Sequence, residues 1–182
     1  EGEGVAEDNK EAVKWYRLAA DQGYASAQYN LGVSYDEGVG VAEDHKEAAK
    51  WYRLAADQGD ASAQYNLGVM YDEGEGVAED NKEAVKWYRL AADQGNASAQ
   101  YNLGVSYDEG AGVAKDDKEA VKWYRLAADQ GDASAQSNIG VLYAQGRGVL
   151  EDYVTSYAWL NIAAANGIRI AKKNKGIIAM EM

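Results

Sequence analysis

The side chains best suited to acid–base or metal chemistry are few and badly placed for it. The one histidine, His45, occupies a position that Asn9, Asn81 and Asp117 hold elsewhere, which marks it as an exposed residue in the first turn of a helix. The chain contains no cysteine, so thiol nucleophiles, disulfides and Cys/His zinc clusters are excluded. No hydroxyl nucleophile stands beside a base with a recognisable local signature, and neither a catalytic residue nor a cofactor is expected. Carboxylates are plentiful, and the stretch from Asp36 to Glu47 spans twelve residues, the length of an EF-hand loop. Such a loop needs oxygen ligands at its third and fifth places and glycine at its sixth. Here those places hold Gly38, Gly40 and Val41, so calcium is not expected. Asn96-Ala97-Ser98 fits a glycosylation sequon, but no secretory context gives it weight.

What remains is recognition. Tyr29, Val33, Asp36 and Glu37 recur as Tyr65, Val69, Asp72 and Glu73, and again as Tyr101, Val105, Asp108 and Glu109. Tyrosine offers broad contact area at low entropic cost, and the acids select for a basic or amphipathic protein segment. A fourth copy reads Ser137, Val141, Ala144 and Gln145, losing both ring and charge. The same tyrosines also suit packing between neighbouring elements, and composition does not choose between the two. A second ladder is basic: Lys10/Lys14/Arg17, Lys46/Lys50/Arg53, Lys82/Lys86/Arg89 and Lys118/Lys122/Arg125. It points away from the apolar arc and is expected to be a solvated outer face rather than a nucleic-acid site.

The elements that position these ladders repeat every 36 residues, as Trp15, Trp51, Trp87, Trp123 and Trp159 show. A fixed period of this length means one supersecondary unit stacked on copies of itself. Within one copy, Asp44 and Glu47 have the spacing of a capping box, in which Asp44 accepts first-turn amides and Glu47 reaches back. The frame recurs at Asp8/Glu11, Asp80/Glu83 and Asp116/Glu119. Ala48, Trp51, Tyr52, Ala55 and Ala56 then fall on one helical face, and Gly59 suits a left-handed cap. A second helix is expected over about 61–73, with Ala63, Leu67, Gly68 and Tyr71 packed inward. Glycine recurs inside it, at Gly32, Gly68, Gly104 and Gly140. Each costs about 1 kcal/mol relative to alanine, which predicts close approach of a Trp or Tyr ring. Gly74 and Gly76 shape the following turn, and Val77 tucks beneath it.

The pattern Ala27, Asn30, Leu31, Gly32, Tyr35, Gly38, Gly40, Val41, followed by Lys46, Ala48, Trp51, Tyr52, Ala55, Ala56 and Gly59, resembles the Sel-1-like repeat family. The resemblance spans essentially the whole chain, as one domain over 1–182 with repeats at 5–40, 41–76, 77–112, 113–148 and 149–182. It implies an all-α, right-handed α/α superhelix (solenoid) of 36-residue helix-turn-helix repeats, acting as a bacterial protein–protein adaptor without catalytic activity. By analogy with tetratricopeptide repeats, the Tyr–Val–Asp–Glu ladder lines a concave groove. The rival expectation is a structural spacer or self-assembling solenoid with no groove ligand.

Charge and composition set the remaining limits. The net charge of -12 disfavours nucleic acid and anionic membrane. No run of about 18 apolar residues marks a membrane-spanning helix, and the compartment is left open. In the last repeat Lys175 replaces Leu31, Leu67, Leu103 and Ile139, which puts the final helix in question, while Tyr157, Leu160 and Ile162 look uncovered. Residues 1–112 hold 22 acids and 9 bases, and residues 113–182 hold 8 acids and 9 bases. Ends of opposite bias predict weak head-to-tail self-association.

Overall fold

A computed structural model describes residues 9–181 and contains, among them, ten helices and no strand. The cap expected at Asp8 and the start of the first repeat lie outside the described residues. The helices are α1 (Asn9–Ala20), α2 (Ala25–Glu37), α3 (His45–Asp57), α4 (Ala61–Glu73), α5 (Asn81–Asp93), α6 (Ala97–Glu109), α7 (Asp117–Asp129), α8 (Ala133–Gln145), α9 (Tyr153–Ala165) and α10 (Arg169–Glu181). The chain forms two compact units, Glu1–Trp87 and Tyr88–Met182, with the division inside α5.

Each odd-numbered helix begins where the sequence expects it, by half of the expected device. The Asp44 carboxylate accepts the amides of Lys46 and Glu47, and Asp116 does the same for Lys118 and Glu119. The return bond from the glutamate is not made. The Asp44 amide donates instead to the carbonyl of Tyr35 at 2.8 Å, tying the loop to the preceding helix, and Glu47 pairs with Lys50. The same backbone bond recurs from Asp80 to Tyr71, Asp116 to Tyr107 and Asp152 to Tyr143. Once the loop supplies an acceptor for that amide, the glutamate is released to its i+3 lysine.

Even-numbered helices start on Asp60, Asn96 and Asp132, whose side chains accept the third amide of the helix, whereas Tyr24 offers α2 no side-chain cap. They end on glycines in the left-handed region, as at Gly74 (φ 72°). At Gly76 (φ 69°) the turn passes so close to α3 that a Cβ would stand 2.1 Å from the carbonyl oxygen of His45. Only glycine fits there. Val77, as expected, packs half-buried onto the core below.

In the unit Glu1–Trp87, α2 packs on α1 and α3, and α3 on α4. Ala48, Tyr52, Ala55, Ala63 and Leu67 are fully buried there, and Trp87 closes the same cluster. Leu31 and Leu67, at 0 % exposure, contribute about 2 kcal/mol each through burial. In the unit Tyr88–Met182, neighbours from α6 to α10 pack in succession. The last helix does form: Ala171 and Ile178 are buried, and Lys175 reaches the side-chain oxygen of Asn161 at 2.8 Å. Leu160, expected to be uncovered, is completely buried. It takes the place over Gly140 that Tyr52 holds over Gly32 and Tyr124 over Gly104.

Candidate protein-interaction face

The Tyr–Val–Asp–Glu positions run along the even-numbered helices beside the buried Ala, Leu and Gly positions, and Tyr29 and Val33 pack onto the core of their unit. The members of the ladder differ in how much each leaves open. Glu37, Glu73 and Glu109 are exposed. Val33, Val69 and Val105 are half-buried, as are Tyr29, Tyr65 and Tyr101. Tyr29 tilts against Tyr52 with ring centroids 5.9 Å apart, and Tyr101 meets Tyr124 in the same way. The tyrosines therefore pack between helices on one side and present an edge on the other. Burial pushes the phenol of Tyr101 above its ordinary pKa, and those of Tyr52 and Tyr124 much further. All three stay neutral hydrogen-bonding groups at physiological pH.

Two aspartates of the ladder, Asp36 and Asp108, serve inward contacts. Asp36 accepts from the Tyr52 hydroxyl at 3.2 Å and lies 2.9 Å from Nδ1 of His45. His45, expected to be a free surface residue, is thus held half-buried between Asp36 and Glu43. Asp108 pairs with Arg147, which also bridges to Asp117, and Lys115 stands 3.8 Å from each carboxylate. Asp72 has a partner as well, yet it is exposed like Glu37, Glu73 and Glu109.

Much of the basic ladder is paired within the protein. Lys50 pairs with Glu47, Lys86 with Glu83, and Lys122 with Glu119, each three residues apart. The arginines are occupied as well. Arg53 donates to the Tyr71 hydroxyl and stacks between the rings of Tyr71 and Trp87, at 5.4 and 5.0 Å. Arg125 bonds Tyr143 at 2.7 Å and lies over Trp159. Arg17 and Arg89 make the bond to Tyr35 and Tyr107. Cation–π stacking of this kind contributes about 0.5–2 kcal/mol and turns a presumed outer charge into a fastener.

Sequence reasoning passed over the glutamines. Gln28, Gln64, Gln100 and Gln136 are buried, and each donates its amide across eight residues to a carbonyl: Ala20, Ala56, Ala92 and Ala128. Their oxygens then accept from the next repeat, Gln28 from Gln58 at 2.6 Å, Gln100 from Gln130 at 2.8 Å and Gln136 from Asn166 at 2.9 Å. The available signal was the strict recurrence of Ala-Gln at one phase of an otherwise apolar arc. Among the described residues no group of three or more His, Cys, Asp or Glu side chains is arranged to hold a metal ion. No described helix is long and apolar enough to cross a membrane.

The paired helices, the 36-residue step and the glycine turns define an α/α repeat protein of solenoid type. The Sel1 repeat model matches residues 1–24, 25–60, 61–96, 97–132 and 133–168, and the chain belongs to that family. These matches start each unit at an even-numbered helix, half a repeat out of phase with units counted from the loop valines. A protective antigen of uropathogenic Escherichia coli strains, whose crystal structure displays an SLR fold, is 44% identical with a TM-score of 0.93. The match covers 97% of this chain and 38% of that one, so this chain spans well under half of that relative's length. A Sel1 repeat protein from Oxalobacter formigenes is 41% identical with a TM-score of 0.85, over 94% of this chain and 68% of that one. Cysteine rich protein B of Helicobacter pylori, 24% identical with a TM-score of 0.56 over 74% of this chain and 97% of its own, shares the fold. No curated protein sequence matches the chain. Sel1-repeat proteins act generally as protein-interaction scaffolds, and the family is typically non-catalytic.

Proposed function

We propose that this chain is a protein-interaction scaffold whose even-numbered helices present a recognition face to a basic or amphipathic protein segment. The observation that carries this reading is the exposure of Glu37, Glu73 and Glu109 at equivalent places, each beside a half-buried Val and Tyr. An acid at the edge of a partly apolar strip favours a partner that alternates cationic and apolar side chains. Asp36 and Asp108 orient the face through His45, Tyr52 and Arg147 rather than contacting the partner. Affinity capture with the intact protein, followed by binding of the captured segment to a Glu37→Lys, Glu73→Lys, Glu109→Lys variant, tests it. Binding should weaken at least tenfold in the variant and fall with added salt. Binding indifferent to both would remove the face from consideration.

A second reading, a spacer with no ligand on this face, draws support from the inward contacts of Asp36, Asp108, Tyr29 and Tyr101. Self-association is proposed with it. Trp15 is 64% exposed, whereas Trp87 and Trp123 are buried at 8% and 4%. Against α8 and α10 an apolar cleft of about 250 Å³ is lined by Val141, Ala144, Leu160, Ile177 and Ile178. An uncovered Trp ring and an apolar cleft are the surfaces through which copies would meet.

A further inference from the structure

Four residues around the α2–α3 junction have counterparts 72 positions later in which the charge pattern is inverted. Asp36 corresponds to Asp108, Glu43 to Lys115, His45 to Asp117 and Glu75 to Arg147. In the unit Tyr88–Met182 the set neutralises itself. The Arg147 guanidinium bridges Asp108 and Asp117, and Lys115 stands 3.8 Å from both. The set holds two cations and two carboxylates and contains no imidazole.

In the unit Glu1–Trp87 two carboxylates meet one imidazole. Nδ1 of His45, on α3, is 2.9 Å from Asp36 on α2, and Nε2 is 3.5 Å from Glu43 in the loop between them. Glu75, from the loop after α4, adds its field to the same ring. The remaining polar neighbour is the Tyr52 hydroxyl, which donates to the second oxygen of Asp36. Histidine is the one member of this set able to carry positive charge, and it does so only when protonated.

We infer that the α2–α3 junction is a proton-operated latch, in which one proton on His45 closes ion pairs to Asp36 and Glu43 and clamps the connecting loop to α3. The equivalent α6–α7 junction is latched by Arg147 and Lys115, with no imidazole in the set. The hydrogen bond that His45 donates to Asp36, and then the nearby carboxylates, hold its imidazolium above the ordinary pKa of 6.5. The sign follows: the contribution is fully present below the ordinary value and is lost as pH rises through the higher folded one. Above that point the ring keeps one neutral hydrogen bond while Asp36, Glu43 and Glu75 repel. This inference is independent of whether the neighbouring face binds a partner.

The chain supplies its own reporters. The Asp44 amide donates to Tyr35 within the latch, and the Asp116 amide donates to Tyr107 at the equivalent junction. Because His45 is the sole histidine, its imidazole titration by NMR needs no assignment. The expected midpoint lies above 6.5. Exchange protection of the Asp44 amide, corrected for intrinsic rates, should fall severalfold between about pH 5.5 and 8 while that of Asp116 stays level. His45→Asn introduces the residue natural at Asn9 and Asn81 and should make Asp44 protection insensitive to pH. The triple variant E43K/H45D/E75R copies the other junction and should be protected throughout. A His45 midpoint at or below 6.5, or Asp44 and Asp116 responding alike in the parent chain, would overturn the latch.

Discussion

Tyr52 lies flat against Gly32, so that a Cβ on the glycine would stand 2.6 Å from Cδ1 of the ring. The ring has nowhere to retreat. Its hydroxyl is tied to Asp36, it tilts against Tyr29 from the same helix as Gly32, and its exposure is 1%. Tyr124 sits over Gly104 at the same 2.6 Å. Gly32 and Gly104 are thus sockets for a ring from the following helix. Gly32→Ala and Gly104→Ala should each destabilise by about 1–3 kcal/mol in chemical denaturation, despite alanine's better helix propensity. Gly176, inside α10, meets nothing within 4 Å of a built Cβ. There the same change should stabilise by up to about 1 kcal/mol. If the three variants move together, the sockets have been misidentified.

The buried glutamines should be costly to lose. Gln100→Ala strips the Ala92 carbonyl of its donor and Gln130 of its acceptor. A loss of about 1–3 kcal/mol is expected from urea titration, since buried groups are left unpaired. Gln130→Ala removes an exposed member and should cost less than half as much.

Acid should loosen the junction that neutral pH leaves untouched. The Arg147 guanidinium beside Asp117 holds that carboxyl below its ordinary pKa of 3.8. A carboxylate with a depressed folded pKa stabilises above its unfolded value, and the effect is lost as pH falls through the folded one. Arg147→Gln should therefore raise the Asp117 midpoint seen by NMR. It should also shrink the stability difference between neutral pH and about pH 3 relative to the parent. An unchanged Asp117 titration would show that the bridge does not persist in solution.

Self-association should be weak and salt-sensitive. Residues 1–112 carry 22 acids against 9 bases, whereas α10 alone carries Arg169, Lys172, Lys173 and Lys175. Sedimentation velocity over a wide concentration range should show growth at low salt and less of it at high salt. Trp15→Ser should suppress it. A single monomer boundary throughout would mean that the exposed Trp15 and the α8–α10 cleft do not meet.

The helices and their inward faces were legible because their signals are periodic: apolar positions at i, i+3 and i+4, capping acids before them and glycines after. The capping glutamates were misjudged because the competing partner for the Asp44 amide, the Tyr35 carbonyl, comes from another helix. The arginine and lysine ladder illustrates the same limit. Spacing placed Arg53 on an outer face, but only packing reveals Tyr71 and Trp87 on either side of it. His45 was judged by the residues at sister positions, which say nothing of Asp36 nine residues earlier. Lys175 looked incompatible with a helix because it breaks the leucine pattern, yet at the edge of α10 it extends to Asn161. The outward side of the even-numbered helices was placed by periodicity alone, since on a helix the exposed stripe is fixed once the buried one is known.

The amides of Gln28, Gln100 and Gln136 point their nitrogens backward within their own repeats and offer their oxygens forward to the next. The connector is therefore carried whole by each of these three 36-residue modules, a plug on one side and a matching receptacle on the other. Loss or gain of one complete module would leave each junction with the same two halves. A shift by a single residue would mismatch every amide beyond it. Copy number can vary between descendants of such a gene at little structural risk, and frame within a copy cannot.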